Sequence, residues 1–68
     1  MTQHQKILRY LEEYGSITPL EAFRDLGITK LATRISELKE MGYEFKQEYM
    51  TGKNRFGETV RFMRYRLA

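Results

Sequence analysis

The spacing of apolar residues changes once along this chain, at Gly42. Before it, hydrophobic positions recur at three- and four-residue intervals in three separate runs, the period of helices that bury one face. The first run, Thr2 to Tyr14, carries Ile7, Leu8 and Leu11 as its stripe, with Thr2 and Gln5 spaced for a capping box and Gly15 as its stop. Ser16 and Ile17 form an extended link, with Ile17 as a core residue. A second helix starts at Thr18, whose hydroxyl can accept a bond from an orphan amide while Glu21 reaches back and Pro19 has no amide to satisfy. Leu20, Phe23 and Leu26 fall on its apolar face and Gly27 ends it. Thr29 is placed to cap a third helix, in which Leu31, Ile35 and Leu38 make the buried stripe and which Gly42 terminates.

From Tyr43 the pattern alternates. Tyr43, Phe45, Gln47 and Tyr49 point one way, and Glu44, Lys46, Glu48 and Met50 the other. Alternation returns from Thr59 to Leu67, with Met63, Tyr65 and Leu67 on one face and Phe62, Arg64 and Arg66 on the other. Two strands of this kind predict a hairpin. Its expected register sets Phe45 opposite Tyr65, which places Glu44 against Arg66 favourably and Lys46 against Arg64 less so. Between the strands lies Thr51 to Glu58, with Gly52 and Gly57 for turning, Lys53, Asn54 and Arg55 at the tip, and Phe56 expected to fold back onto the domain.

Thr18 to Lys39 is thus two short helices joined by a glycine-containing turn, the helix-turn-helix arrangement. That spacing alone fits half of a small helical core equally well. The leading helix, the short extended link and the hairpin turn it into an α+β winged helix: three helices followed by a two-stranded wing, in a single domain over residues 1–68.

Length and charge narrow the function. A chain of 68 residues buries only about 60% of its unfolded surface, which leaves no room for a deep enclosed active site. It has no cysteine, hence neither disulfides nor thiolate metal ligands. No apolar run reaches the length of a membrane span and the first residues lack a signal peptide's apolar stretch, so a cytoplasmic protein without membrane attachment is expected. The net charge is +3, and its distribution is uneven: residues 1–50 hold seven Lys/Arg against eight Asp/Glu, residues 51–68 five against one. A basic C-terminal hairpin points to a polyanionic partner, with a charged, soluble hairpin edge as the alternative.

Catalysis finds little support. His4 is the only histidine and Asp25 the only aspartate, Ser16 and Ser36 are the only serines, and there is neither a phosphate-cradling glycine loop nor a metal-ligand cluster. No enzyme activity, cofactor or metal is expected, and His4 reads as a half-buried or solvated terminal residue. Double-stranded DNA is the expected partner. On the third helix the face opposite the core presents Lys30, Thr33, Ser36, Glu37 and Glu40, with Arg34 and Lys39 at its flanks. Thr29, Lys30, Thr33 and Arg34 cluster at the N-terminal part, where recognition helices meet base edges. Arg34 can take guanine O6 and N7 with its two-pronged guanidinium, or pair with Glu37 in a solvated ladder; both remain open at this point. Thr33 and Ser36 can touch bases, and Lys53, Asn54 and Arg55 at the wing tip, with Arg61 and Arg64 on the second strand, can reach the backbone or the minor groove.

The phrases GSITPLEAFRDLGITKLATRISELKEMGY and RFMRYRL resemble the small winged helix-turn-helix proteins of bacteria and their phages. The resemblance covers essentially the whole chain. It implies DNA binding, through Thr29, Lys30, Thr33 and Arg34 on the recognition helix and Lys53, Asn54 and Arg55 in the wing. The expected function is a small transcriptional regulator or architectural accessory, with modest, salt-sensitive affinity per copy, so that a homodimer or clustered sites would strengthen binding. The alternative is a protein-interaction module of the same shape that binds a host or phage protein through Tyr10, Tyr14, Tyr49, Phe56 and Phe62. The acidic Glu37 and Glu40 argue against tight, independent DNA binding.

Overall fold

A computed structural model describes residues 1–68 as α1 (Gln3–Tyr14), α2 (Pro19–Leu26), α3 (Leu31–Glu40), β1 (Phe45–Lys53) and β2 (Thr59–Leu67). Each of the first two helices begins with a reciprocal capping box. Thr2 Oγ1 accepts from the Gln5 amide at 3.1 Å while Gln5 Oε1 accepts from the Thr2 amide at 2.9 Å, and Thr18 and Glu21 do the same at 3.2 and 3.0 Å with Pro19 in the first turn. These bonds satisfy amides that the helix itself cannot. Gly27 adopts φ +71°, a left-handed conformation open to glycine without steric cost, and lets the chain turn into the next helix.

The third helix begins differently from the expectation. Lys30, not Thr29, is its N-cap, and no side chain caps it. Its far end closes as a Schellman motif: Gly42 at φ +104° donates to Lys39 O at 3.0 Å and Tyr43 donates to Leu38 O at 3.1 Å.

The core is built from Ile7, Tyr10, Leu11, Ile17, Ala22, Ile28, Leu31, Ile35, Leu38 and Tyr65, with Leu8, Leu26, Phe45 and Met63 packed against it. The expected faces of α1 and α3 are the buried ones. On α2 the expectation fails: Leu20 is 69% exposed and Phe23 59% exposed, while Ala22 is fully buried. In a helix of eight residues the apolar arc does not decide the rotation. Small Ala22 lets the backbone approach the core, and Leu26 and Ile28 complete that contact, leaving Leu20 and Phe23 roughly 160° and 100° away around the helix from Ala22. Tyr10 is not a surface aromatic either. It is buried, and its hydroxyl donates to Asp25 Oδ2 at 2.7 Å, tying α1 to the end of α2.

Ile17 forms a one-residue bridge with Tyr65, exchanging two backbone bonds of 2.9 Å, so the extended link lies against β2. The lateral order is Ile17, β2, β1, with β1 at the outer edge. The hairpin register differs from the expected one by two residues: Phe45 pairs with Leu67, Gln47 with Tyr65 and Lys53 with Thr59. The first strand runs further toward the tip than predicted, to Lys53, so that Gly52 lies inside β1 opposite Val60 rather than in the turn, while β2 spans the predicted Thr59–Leu67. The turn is responsible. Asn54 Oδ1 accepts from the Phe56 and Glu58 amides, each at 2.9 Å, and the Asn54 amide donates to Glu58 O at 3.0 Å, closing a short loop around Phe56. Such a loop sets the pairing of everything behind it. A shift of two leaves every side chain on its predicted face.

Candidate nucleic-acid interface

With the Lys30 side chain not capping α3, the first amides of that helix are held by no side chain and sit at the positive end of the helix dipole. Around them Thr29, Lys30 and Thr33 are exposed, as are Ser36 and Glu40 further along. This is a surface suited to an anion and to short hydrogen-bonding side chains.

Arg34 is placed differently. Its side chain is half-buried and its Nη1 lies 3.3 Å from Glu37 Oε1, so the ion pair is the arrangement adopted. The same Glu37 oxygen lies 2.7 Å from His4 Nε2, a contact that reaches from the start of α1 to the middle of α3. Sequence reasoning missed this link. His4 and Glu37 are 33 positions apart, and only the packing of α1 on α3 brings them together. With Glu37 held from two sides, Arg34 is turned along the helix rather than outward.

The wing divides its cations by the same means. Glu48 on β1 faces Arg64 across the hairpin, 2.9 Å from its Nη2, and also lies 3.0 Å from Arg66 Nε. The hydrogen bond from Arg64, reinforced by both positive charges, holds the Glu48 carboxyl below the usual carboxylate range. Two of the five cations of the C-terminal segment therefore share one carboxylate near the body of the domain. Lys53, Arg55 and Arg61 have no carboxylate partner. Lys53 Nζ donates to Thr59 Oγ1 at 2.8 Å, which orients it without cancelling its charge. Asn54 is engaged within the turn through both ends of its amide, its Nδ2 donating to Glu58 Oε1 at 3.0 Å. Phe56 does not fold back: it stands 85% exposed at the tip.

The whole domain, hairpin included, measures 38 × 22 × 21 Å, and these residues lie on its hairpin. A family model for the winged helix-turn-helix domain matches residues 2–68. The chain belongs to that family. No curated protein and no solved structure matches it.

In this winged helix-turn-helix domain, α2 and α3 are the helix-turn-helix and the β1–β2 hairpin is the wing. Other polar groups of the domain serve its packing. Asp25 accepts from Tyr10 and pairs with Arg24 Nε at 2.8 Å; the guanidinium first and the phenol second draw its carboxyl down to about 2. The hydrogen bond to Asp25, then burial, pushes the Tyr10 phenol up to about 12. Burial also raises Tyr65. No three acidic, histidine or cysteine side chains come together as a metal site, and no helix is long and apolar enough to cross a membrane.

Proposed function

We propose that this domain binds double-stranded DNA, as a small transcriptional regulator or architectural accessory in a bacterial or phage setting. The N-terminal half of α3 enters the major groove, and the wing holds the backbone or the adjacent minor groove. The observation that carries this reading is the separation of charge in the hairpin. Arg64 and Arg66 share the Glu48 carboxylate beside the body, and Lys53, Arg55 and Arg61 have no carboxylate partner toward the tip. A basic patch kept solely for solubility would not need that sorting, whereas a phosphate anchor works best with charges free of internal partners.

In this reading Thr29, Lys30, Thr33 and Ser36 meet the groove, and the open amides at the start of α3 add a phosphate contact. Arg34 reads a base only after leaving Glu37. Asn54 acts by shaping the turn that presents Lys53 and Arg55. Few phosphate contacts per copy mean modest affinity and marked sensitivity to salt.

The test is an NMR titration of the labelled chain with a random-sequence duplex at low salt. Amide shifts concentrated at Thr29 to Thr33 and at Lys53 to Arg61 are the expected result. No shifts, or shifts confined to Leu20 and Phe23 on the exposed face of α2, would overturn it, and the latter would turn attention to a protein partner.

A further inference from the structure

The outer edge of β1 is a run of unpaired backbone whose side chains match a second copy of the same strand. Tyr65 exchanges both backbone bonds with Ile17 on the far side of β2. Its partner across the hairpin, Gln47, therefore sits at a non-hydrogen-bonded position and turns its own N–H and C=O away from β2. The parity holds along the strand, since Ala68 N–H donates to Glu44 and Asn54 N–H to Glu58, placing the even-numbered positions inside the hairpin ladder. Phe45, Gln47, Tyr49 and Thr51 thus present backbone donors and acceptors to solvent, the form of edge that templates another strand.

We propose that β1 pairs antiparallel with β1 of a second copy about a two-fold axis at Gln47, joining two wings into one four-stranded sheet. Charge selects this register. An axis at Lys46 or at Glu48 sets like charges face to face, and an axis at Tyr49 puts Lys46 opposite Gly52 and Glu48 opposite Met50. An axis at Phe45 relies on Glu44, which precedes the strand, and leaves most of β1 unpaired. With the axis at Gln47, Lys46 faces Glu48 of the other copy twice over, and Phe45 faces Tyr49 twice over. Both contacts meet a need visible in the single chain. Lys46 has no ion-pair partner of its own, and Tyr49 is 77% exposed. The Lys46–Glu48 pairs also fall at non-hydrogen-bonded positions of the new ladder, where facing side chains come closest.

The pairing is independent of nucleic acid and is tested without it. Light scattering on the purified chain up to millimolar concentration is expected to show a dimer. Lys46→Glu places Glu opposite Glu48 twice and is expected to weaken the dimer at least about tenfold with the circular dichroism unchanged. Because the chain lacks cysteine, Gln47→Cys reports the register: across the axis the two Cα atoms stand about 5.5 Å apart, within disulfide reach. Cross-linking by mild oxidant at Gln47→Cys and not at Tyr49→Cys supports the axis. A monomer at every concentration, a Lys46→Glu protein that dimerises as well as its parent, or preferential cross-linking at Tyr49→Cys overturns the proposal.

Discussion

Substituting alanine for both Lys53 and Arg55 removes two of the four cations in the proposed DNA surface that lack a carboxylate partner, the others being Lys30 and Arg61. If each of the four neutralises one phosphate, log K falls against log salt with a slope of about −3.6, at about 0.9 counterion released per contact. A fourfold rise in salt then lowers the affinity of the parent about 150-fold. The double variant keeps two contacts, so its slope is about −1.8 and the same rise in salt costs it about 12-fold. Arg64→Ala is the internal control. In the free protein Arg64 is already bound to Glu48, which it shares with Arg66, so losing Arg64 should change the slope by less than the 0.9 or so expected of a free cation. Fluorescence anisotropy with a random duplex at a series of salt concentrations reads all three slopes. A double variant with the parent's slope, or an Arg64→Ala slope flattened as much as by one wing cation, would refute the sorting of charge on which the DNA reading stands.

Leu38→Ala, at a fully buried site, should cost about 2–5 kcal/mol in urea unfolding, whereas Leu20→Ser on the exposed face of α2 should stay within about 0.5 kcal/mol; equal losses would mean that the observed rotation of α2 is wrong. Gly27→Ala forces a side chain into the left-handed turn at φ +71° and should cost about 1–2 kcal/mol, read the same way. Tyr10→Phe removes the bond to Asp25, and the melting-temperature gap to the parent should depend on pH. Asp25 is depressed on folding from 3.8 to about 2, by Arg24 first and Tyr10 second, so the part owed to Tyr10 is present above the unfolded value of Asp25 and is lost as pH falls through the folded one. Tyr10 is raised from 10.0 to about 12, so its contribution is complete below its unfolded value and is lost as pH rises through the folded one. The gap should be widest between these windows, and a gap constant from pH 2 to 12 would contradict the pairing.

The helix starts at Thr2 and Thr18, the glycine stops and the faces of both strands could be read directly from the chain, because the bonds behind them span three or four residues or follow from the period of two. Candidate site residues were legible as types and places. Whether each is free was not. Arg34 and Arg64 look alike in sequence to Arg55 and Arg61, and what separates them is a carboxylate delivered by an i, i+3 rotamer in one case and by the opposite strand in the other.

Sequence by itself therefore determined the kinds of element, their order and the winged helix-turn-helix fold they compose, since propensity, capping and periodicity act locally. Tertiary structure alone decided the quantities that depend on distant neighbours. Packing around Ala22 turned Leu20 and Phe23 outward, whereas the hairpin register was set locally, by Asn54 bonds spanning two to four residues that the alternation of the strands does not reveal. That register carried Glu48 to Arg64 and Arg66, and the approach of α1 to α3 brought His4 to Glu37. The physical reason is one of range: a backbone hydrogen bond is satisfied within a turn, whereas burial and ion pairing are settled only when the elements meet.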